Sequence, residues 1–422
     1  MTAALIAFPF AMLAAGFPVF LVLLAAAAAY AVLVSDVPAT VLHQAMFGGV
    51  DSFALLSIPF FLFAGELMTS GVIARRIVAL VVAVVGRLPG SLALATVGTS
   101  TIVGAISGSS AAATATVGRI LYEPLQQAGY SRRFATGVIA ASAGIDVVIP
   151  PSIAMILYGV VAEVSVPKLF LAGVLPGLLL AGFMAVFIVV HAAVARVGGT
   201  SPFSLAGIVA ALVRALWALG MPTIVFVGIY GGVFSPTEAA GISCVYAALV
   251  SAFVYRDIGP RALLRLAADA MVLTAQIMVI VAAAGVFAWM LTTSGTPARL
   301  VAWIAAMNLS PWQVLLVINV VLLIAGCFID PTSSILVLTP LLMPIVHHAG
   351  IDPVHFGIVM TVNLSIGMFT PPFGLNLFVM QSLFGVPTGD LYRGVLPFIA
   401  VQVAALAVVT YVPAISLILV GG

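Results

Sequence analysis

Apolar residues run along this chain in stretches of roughly 20, the length a helix needs to cross a hydrocarbon layer, with few polar positions between them. The pattern predicts apolar helices over 16–34 and 52–71. A short helix over 72–87 follows and lies along the interface, with Arg75 and Arg76 at its start and Arg87 at its end. The next stretch, 88–129, does not read as a crossing. Its two arms are short and rich in small residues, and its middle is the polar, glycine-bearing tip "SGSS" at 107–110. It predicts a re-entrant helical hairpin that enters and leaves on one side. A second such hairpin is predicted over 310–349, with the tip "IDPTSS" at 329–334. After each hairpin comes an apolar run with two adjacent prolines near its centre: Pro150 and Pro151 within 134–163, Pro371 and Pro372 within 356–384. Proline lacks the backbone N–H and clashes with the preceding turn, so each run is predicted to be a broken transmembrane helix.

These features recur because the chain repeats itself. Gly129 pairs with Gly350, Pro150 with Pro371, Pro151 with Pro372, Gly173 with Gly394 and Pro176 with Pro397, always 221 residues apart. Upstream, "FAGELMTSGVIAR" at 63–75 matches "FAWMLTTSGTPAR" at 287–299, and "GFPVF" at 16–20 roughly matches "FSPTE" at 234–238. Two copies of one unit are expected, over 1–196 and 215–422, joined by a cytoplasmic linker at 197–214. Basic residues orient them, since cytoplasmic loops collect Lys and Arg. Arg75, Arg76, Arg87, Arg132 and Arg133 flank the first hairpin, whereas the matching segments of the second copy, 295–311 and 347–356, hold Arg299 alone. The first hairpin should open to the cytoplasm and the second to the outside. Oppositely oriented copies make an inverted repeat, the architecture of many secondary transporters.

Composition agrees. Hydrophobic residues make up 64% and charged residues 6%, against roughly a quarter charged in a soluble domain, and the mean hydropathy is +1.33. The apolar runs suffice for about 10–12 crossings at about 20 residues each. A net charge of +2 argues against a nucleic-acid partner. Cys244 and Cys327 lie in apolar runs and read as small buried residues. The N-terminus has no basic n-region, so it reads as a membrane segment and not as a removed signal peptide. No nucleophile motif and no phosphate-binding loop is present, so the chain reads as no enzyme and no ATPase. No cofactor is expected. A coupled carrier would then draw on an ion gradient.

Irregular backbone at membrane depth is tolerated where protein or a watery cavity covers it. A helix broken there presents carbonyls from one half, which suit a cation, and N–H groups from the other, which suit an anion. Ser107, Ser109 and Ser110 supply hydroxyl oxygens at the first tip; Asp330, Thr332, Ser333 and Ser334 supply oxygens at the second. Asp146 and Ser152 flank the first proline break, Thr370 and Asn376 the second. Hard oxygen donors suit Na+ and not a soft metal. Two cation sites with a substrate between them are expected, the substrate candidates being Ser110, Ser152, Ser334 and Asn376. Were coupling to a proton, Asp146 and Asp330 would be the carriers. Glu66 and Glu238 read as helix-end or inter-helix contacts. His347, His348 and His355 are placed in a solvated outer loop.

Five segments carry a family resemblance: "GRLPGSLALATVGTSTIVGAISGSSAAATATVG", "ASAGIDVVIPPSIAMILYGV", "GGVFSPTEAAGISCVYAALV", "FIDPTSSILVLTPLLMPI" and "IGMFTPPFGLNLFV". Together they resemble the large, DctM-like permease subunit of TRAP (tripartite ATP-independent periplasmic) transporters over nearly the whole chain. The resemblance implies an all-α, multi-pass, elevator-type transporter of the bacterial inner membrane, importing an organic acid with Na+. It implies two partners, a small four-helix DctQ-like membrane subunit and a periplasmic DctP-like substrate-binding protein. By position, its cation sites fall on Ser107, Ser109 and Ser110 with Gly144, Ile149 and Pro150, and on Asp330, Thr332 and Ser333 with Gly367, Thr370 and Pro371. The first break departs from the family pattern, since Asp146 stands where a small neutral residue is expected. The rival reading is a stand-alone Na+- or H+-coupled dicarboxylate or citrate carrier of the same superfamily.

Overall fold

The computed structural model describes residues 11–13, 15–35, 37–86, 88–197 and 204–421. Arg87, the first ten residues and 198–203 of the linker, all read above, lie outside the described residues. Among the described residues every regular element is a helix.

The first helices are α1 (Val19–Tyr30), which widens into a π turn over Ala31–Ser35, α2 (Ala39–Val50), α3 (Ser57–Ser70) and α4 (Val72–Val85). The first hairpin follows as α5 (Ser91–Ser107) and α6 (Ser110–Gln127), then the first broken helix as α7 (Arg132–Gly144) and α8 (Ile153–Val161), and then the long α9 (Val166–Ala195). Beyond the linker come α10 (Leu205–Tyr230), α11 (Pro236–Leu249), α12 (Pro260–Thr293) and α13 (Thr296–Ala306). The second hairpin is α14 (Pro311–Gly326) with α15 (Pro331–His348) and the second broken helix α16 (Pro353–Gly367) with α17 (Leu375–Phe384), before α18 (Thr388–Tyr411) and the short α19 (Ala414–Leu417).

Packing gathers these helices into two bodies. In one, α12 lies along α1, α2 and α3, α11 packs on α3, and α10 packs on α4. In the other, α18 lies on α7, α14 on α16, α15 on α8, and α9 spans α5, α16, α18 and α19. The bodies meet where α5 touches α3 and α4, and where α15 touches α12. The two hairpins differ. The arms α5 and α6 run against each other, while α14 leans on α16 and barely meets α15. The sequence explains this. Small residues let helices approach closely in a membrane, and α5 and α6 are rich in Ala, Gly, Ser and Thr, whereas α14 reads "VLLVINVVLLI".

Among the described residues six helices are long and apolar enough to cross a membrane: Phe53–Ser70, α9, α10, Pro236–Val254, α12 and α18. The expected ten to twelve crossings counted apolar length. Part of that length lies in shorter pieces, including α5, α14, α16 and α17, the arms of hairpins and halves of broken helices.

Three expectations need correction. The helix α2 is absent from the predicted elements. Its stretch mixes Thr40, His43 and Gln44 with small residues, and it contains no fully buried residue, so apolar periodicity was weak there. His355 does not sit in a solvated loop. It starts α16 and is 2% exposed, its Nδ1 3.3 Å from Ser416 Oγ and its Nε2 3.2 Å from the Thr410 carbonyl. Cys244 and Cys327 are half-buried. Glu238, in contrast, does serve a helix end. Its carboxylate accepts from the Ser235 N–H at 2.8 Å, completing a capping box at the start of α11.

Candidate functional site

Both hairpin tips are built by helix capping. Ser109 caps α6, its Oγ accepting from Ala112 N–H at 3.4 Å; Asp330, 221 residues on, caps α15, accepting from Ser333 N–H at 3.1 Å. A short polar side chain at this position satisfies a free N–H of the first turn. Gly108 makes the turn between α5 and α6 at φ 58°, and a Cβ there would lie 3.3 Å from the Pro151 carbonyl oxygen. The first tip therefore sits directly on the first break. Ser107 closes the turn, its Oγ accepting from Ser109 N–H at 3.3 Å.

The breaks have opposite exposures. After α7 the chain makes one tight turn over Ile145–Val147, and residues 145–152 are all buried. Ser152 ends the break by capping α8. The second break, 368–374, is held by its own backbone. Asn376 N–H donates to the Met368 carbonyl at 2.9 Å and Thr370 Oγ1 to the Ile366 carbonyl at 2.7 Å. Its outer side is open: Phe373 is 55% exposed, and Asp330 on the neighbouring tip is exposed as well.

One network joins the two halves of the chain. Ser110 Oγ donates to the Ala143 carbonyl at 2.8 Å and accepts from Asn376 Nδ2 at 2.7 Å. The second N–H of Nδ2 reaches the Ala140 carbonyl at 2.9 Å. Asn376 Oδ1 lies 3.0 Å from the same hydroxyl, which has a single proton and cannot serve both acceptors. First tip, end of α7 and second break are thus tied together by two buried side chains. Ser152 and Ser334, also expected at the substrate site, stand apart from this network. Ser152 caps α8, and Ser334 Oγ donates back to the Ile329 carbonyl. Thr332 is half-buried at the second tip, beside buried Ser333.

Backbone contacts bring tip and break together in each half. A Cβ on Gly367 would lie 2.4 Å from the carbonyl carbon and oxygen of Gly326, the last residue of α14. A Cβ on Gly104 would lie 2.4 Å from Asp146 Oδ1 and 2.5 Å from Asp146 Cα. The spacing of the repeat relates these contacts, since 146 and 367 are 221 apart and 104 and 326 are 222 apart. The breaks also meet each other, for a Cβ on Gly144 would lie 3.0 Å from the Ser365 carbonyl oxygen. Asp146 is 0% exposed, and neither of its oxygens has a hydrogen-bond partner. Unpaired buried carboxyl oxygens and clustered hydroxyls are a donor set that fits a hard monovalent cation.

Gly144→Val should force α7 and α16 apart. We expect the purified variant to lose thermal stability by about 1–3 kcal/mol, the usual cost of overpacking, while Gly389→Val, where a Cβ meets nothing within 4 Å, leaves stability unchanged. Equal melting midpoints for the two variants would remove the contact between the breaks from this account.

A buried polar chain escaped the sequence reading. Asn363 Nδ2 donates to Asn319 Oδ1 at 2.7 Å, and Asn319 Nδ2 to Thr410 Oγ1 at 3.1 Å, next to the Thr410 carbonyl that His355 touches. His355, Asn363 and Gly367 are spaced at multiples of four residues along α16. That spacing was readable from sequence. The partners on α14 and α18 were not. A separate cleft of about 370 Å³ lies away from both breaks, lined by Phe53, Glu163, Ser165, Ser235 and Thr237 among others.

Comparison with known proteins places these features. The family described as "Tripartite ATP-independent periplasmic transporter, DctM component" matches residues 6–415. The chain is 43% identical over 374 residues to the C4-dicarboxylate TRAP transporter large permease protein DctM of Pseudomonas aeruginosa, covering 89% of this chain and 88% of that one. It is 38% identical over 410 residues to the isethionate TRAP transporter permease protein DctMQ of Oleidesulfovibrio alaskensis, covering 97% of this chain and 65% of that longer one. Among solved structures it resembles the YdaH transporter of Alcanivorax borkumensis, described as having an unusual topology, with a TM-score of 0.66 over 96% of this chain and 97% of that one. At 17% identity that likeness concerns the fold alone.

Proposed function

The chain belongs to the DctM component family of the tripartite ATP-independent periplasmic transporters, and from that premise we propose that it imports an organic acid across the bacterial inner membrane, coupled to Na+. The relatives' substrates, C4-dicarboxylate and isethionate, support an organic acid. The observation that carries the reading is the Ser110–Asn376 link. It ties the first hairpin tip to the helix break of the other half, so a change at that tip reaches both breaks. The ion would supply positive charge at the two junctions. Ser107, Ser109 and Ser110 with Gly144, Ile149 and Pro150 would hold it at the first junction; Asp330, Thr332 and Ser333 with Gly367, Thr370 and Pro371 would hold it at the second. Ser110 and Asn376, with Ser152 and Ser334, would orient the carboxylate.

Two partners complete the proposal, a small membrane subunit and a soluble binding protein. The relative named DctMQ supports the first, the family's name the second. Uptake of a C4-dicarboxylate into proteoliposomes, with and without these partners, tests the reading. Robust uptake by this chain alone would favour the stand-alone carrier. In the full system, Ser109→Ala and Thr332→Ala should each raise the Na+ concentration for half-maximal uptake roughly tenfold, the equivalent of about 1.4 kcal/mol. An Na+ curve that does not move in either variant would take the tips out of the cation sites.

The proposed opposite orientation of the two halves has its own test. Gln127 and His348 are exposed at the outer ends of the two hairpins. In a chain lacking Cys244 and Cys327, a cysteine at 127 should react with an impermeant maleimide only from the cytoplasm, and one at 348 only from outside. Labelling of both from one side would refute the inverted repeat.

A further inference from the structure

We infer that the Asp146 carboxylate is an anionic ligand of the first cation site, so that the two junctions are unequal, one carrying a buried carboxylate with no other partner and the other only the exposed, helix-capping Asp330. The inference rests on the proposed binding of a monovalent cation at these junctions and adds a residue and a charge to it.

The carboxylate is built into the junction. It is fully buried, and both oxygens lack a donor. It fits there because Gly104 has no side chain, the Cβ position being 2.4 Å from Oδ1. On α5, Thr99 and Ser100, about one turn before Gly104, also keep buried hydroxyls without a partner. In the second half the same contact is made by Gly326 and Gly367, with no carboxylate between them. The nearest acid there, Asp330, is exposed and already caps α15.

Among the described residues no side chain neutralises Asp146. Among the described residues the one ion pair within 4.0 Å is Arg133–Asp390. The elements packed on the break are α5, α6, α7, α9 and α16. Within its bounds α5 contains no titratable side chain. On α6, Arg119, Tyr122 and Glu123 begin nine residues beyond Ser110, about 14 Å along the axis. On α7, Arg132 and Arg133 sit at the far end from the break. On α9, Lys168 is exposed and His191 lies near the far terminus. On α16, His355 is twelve residues before Gly367. Burying a lone carboxylate is costly unless it is paired. A hard monovalent cation, held by the carboxylate with the hydroxyls of the tip, offsets that cost with donors of the right kind. The first site should therefore bind Na+ more tightly than the second.

The test is equilibrium binding of radioactive 22Na+ to the purified full chain in lipid nanodiscs. Wild type should show two components. Asp146→Asn should weaken the tighter one at least tenfold and leave the weaker one in place. Asp146→Gly, which puts the residue type of position 367 at 146, should do the same if the asparagine variant fails to fold. A wild-type measurement guards against the failure of both. Dicyclohexylcarbodiimide, an apolar reagent that adds to buried carboxyl groups, should label Asp146, and Na+ but not choline should protect it, as read by mass spectrometry. Identical 22Na+ isotherms for wild type and variant, or labelling that Na+ does not slow, would overturn the role of Asp146 while leaving the Na+ sites standing. Absence of any saturable 22Na+ binding by wild type would overturn the Na+ reading and this inference together.

Discussion

Gly367→Ala is expected to abolish uptake, although it adds a single methyl group. The Cβ would arrive 2.4 Å from both the carbonyl carbon and the carbonyl oxygen of Gly326. Neither obstacle is a flexible side chain. Both are backbone, at the last residue of α14, so the second hairpin must lift from the second break. Overpacking costs about 1–3 kcal/mol, occasionally more, and a backbone-on-backbone clash belongs at the upper end. A shift of about 3 kcal/mol lowers the ratio of docked to separated tip by roughly a hundredfold. Initial uptake by the reconstituted transporter should fall about a hundredfold, with membrane insertion unchanged. Gly389→Ala is the control, since nothing lies within 4 Å of its Cβ position. Uptake above half of wild type in Gly367→Ala would show that the contact between α14 and the break plays no part in the cycle.

Gly367 enters the sequence reading only through the family resemblance, and its partner Gly326 does not enter it at all. Hairpins and breaks were legible because punctuation marks them. Ser109, Ser131, Ser152, Asp330 and Asp352 are N-caps, and such residues announce helix starts. The double prolines announce where helices stop. Helices therefore begin and end within three residues of the predicted bounds of both hairpins and both broken helices. Local signals of this kind cannot show contacts across the chain. Ser110 and Asn376 are 266 residues apart, and although each reads as a substrate candidate, nothing local pairs the one with the other. His355 looked solvated because its neighbours His347 and His348 are, yet α18 and α19 cover it. Asp146 was recognisable as an unexpected charge. Its lack of any partner became apparent only with α5, α7, α9 and α16 packed around it.

Asn376→Asp should be the most damaging change at the centre of the molecule, because it keeps the shape and reverses the chemistry. The amide Nδ2 donates to Ser110 Oγ and to the Ala140 carbonyl. A carboxylate has no N–H to donate. It would face the Ala140 carbonyl oxygen with a second oxygen, at a position that is 0% exposed. An unmade hydrogen bond in a buried place costs about 1–3 kcal/mol, more for a charged group. Asn376→Ala loses the same donors without adding charge, so it should be milder, cutting uptake about tenfold. Ser110→Ala removes the side-chain donor to the Ala143 carbonyl and should have a similar effect. Because the two side chains share one hydrogen bond, the double variant Ser110→Ala with Asn376→Ala should lose less than the two singles combined, by about 0.5–3 kcal/mol. The measurement is initial uptake for all four variants at saturating Na+, with matched amounts in the membrane. Asn376→Asp should show no uptake above empty vesicles. Additive single effects would mean that tip and break act independently. Uptake by Asn376→Asp equal to that of Asn376→Ala would mean that the amide N–H groups, and with them the link between the two halves, are not what the transporter uses.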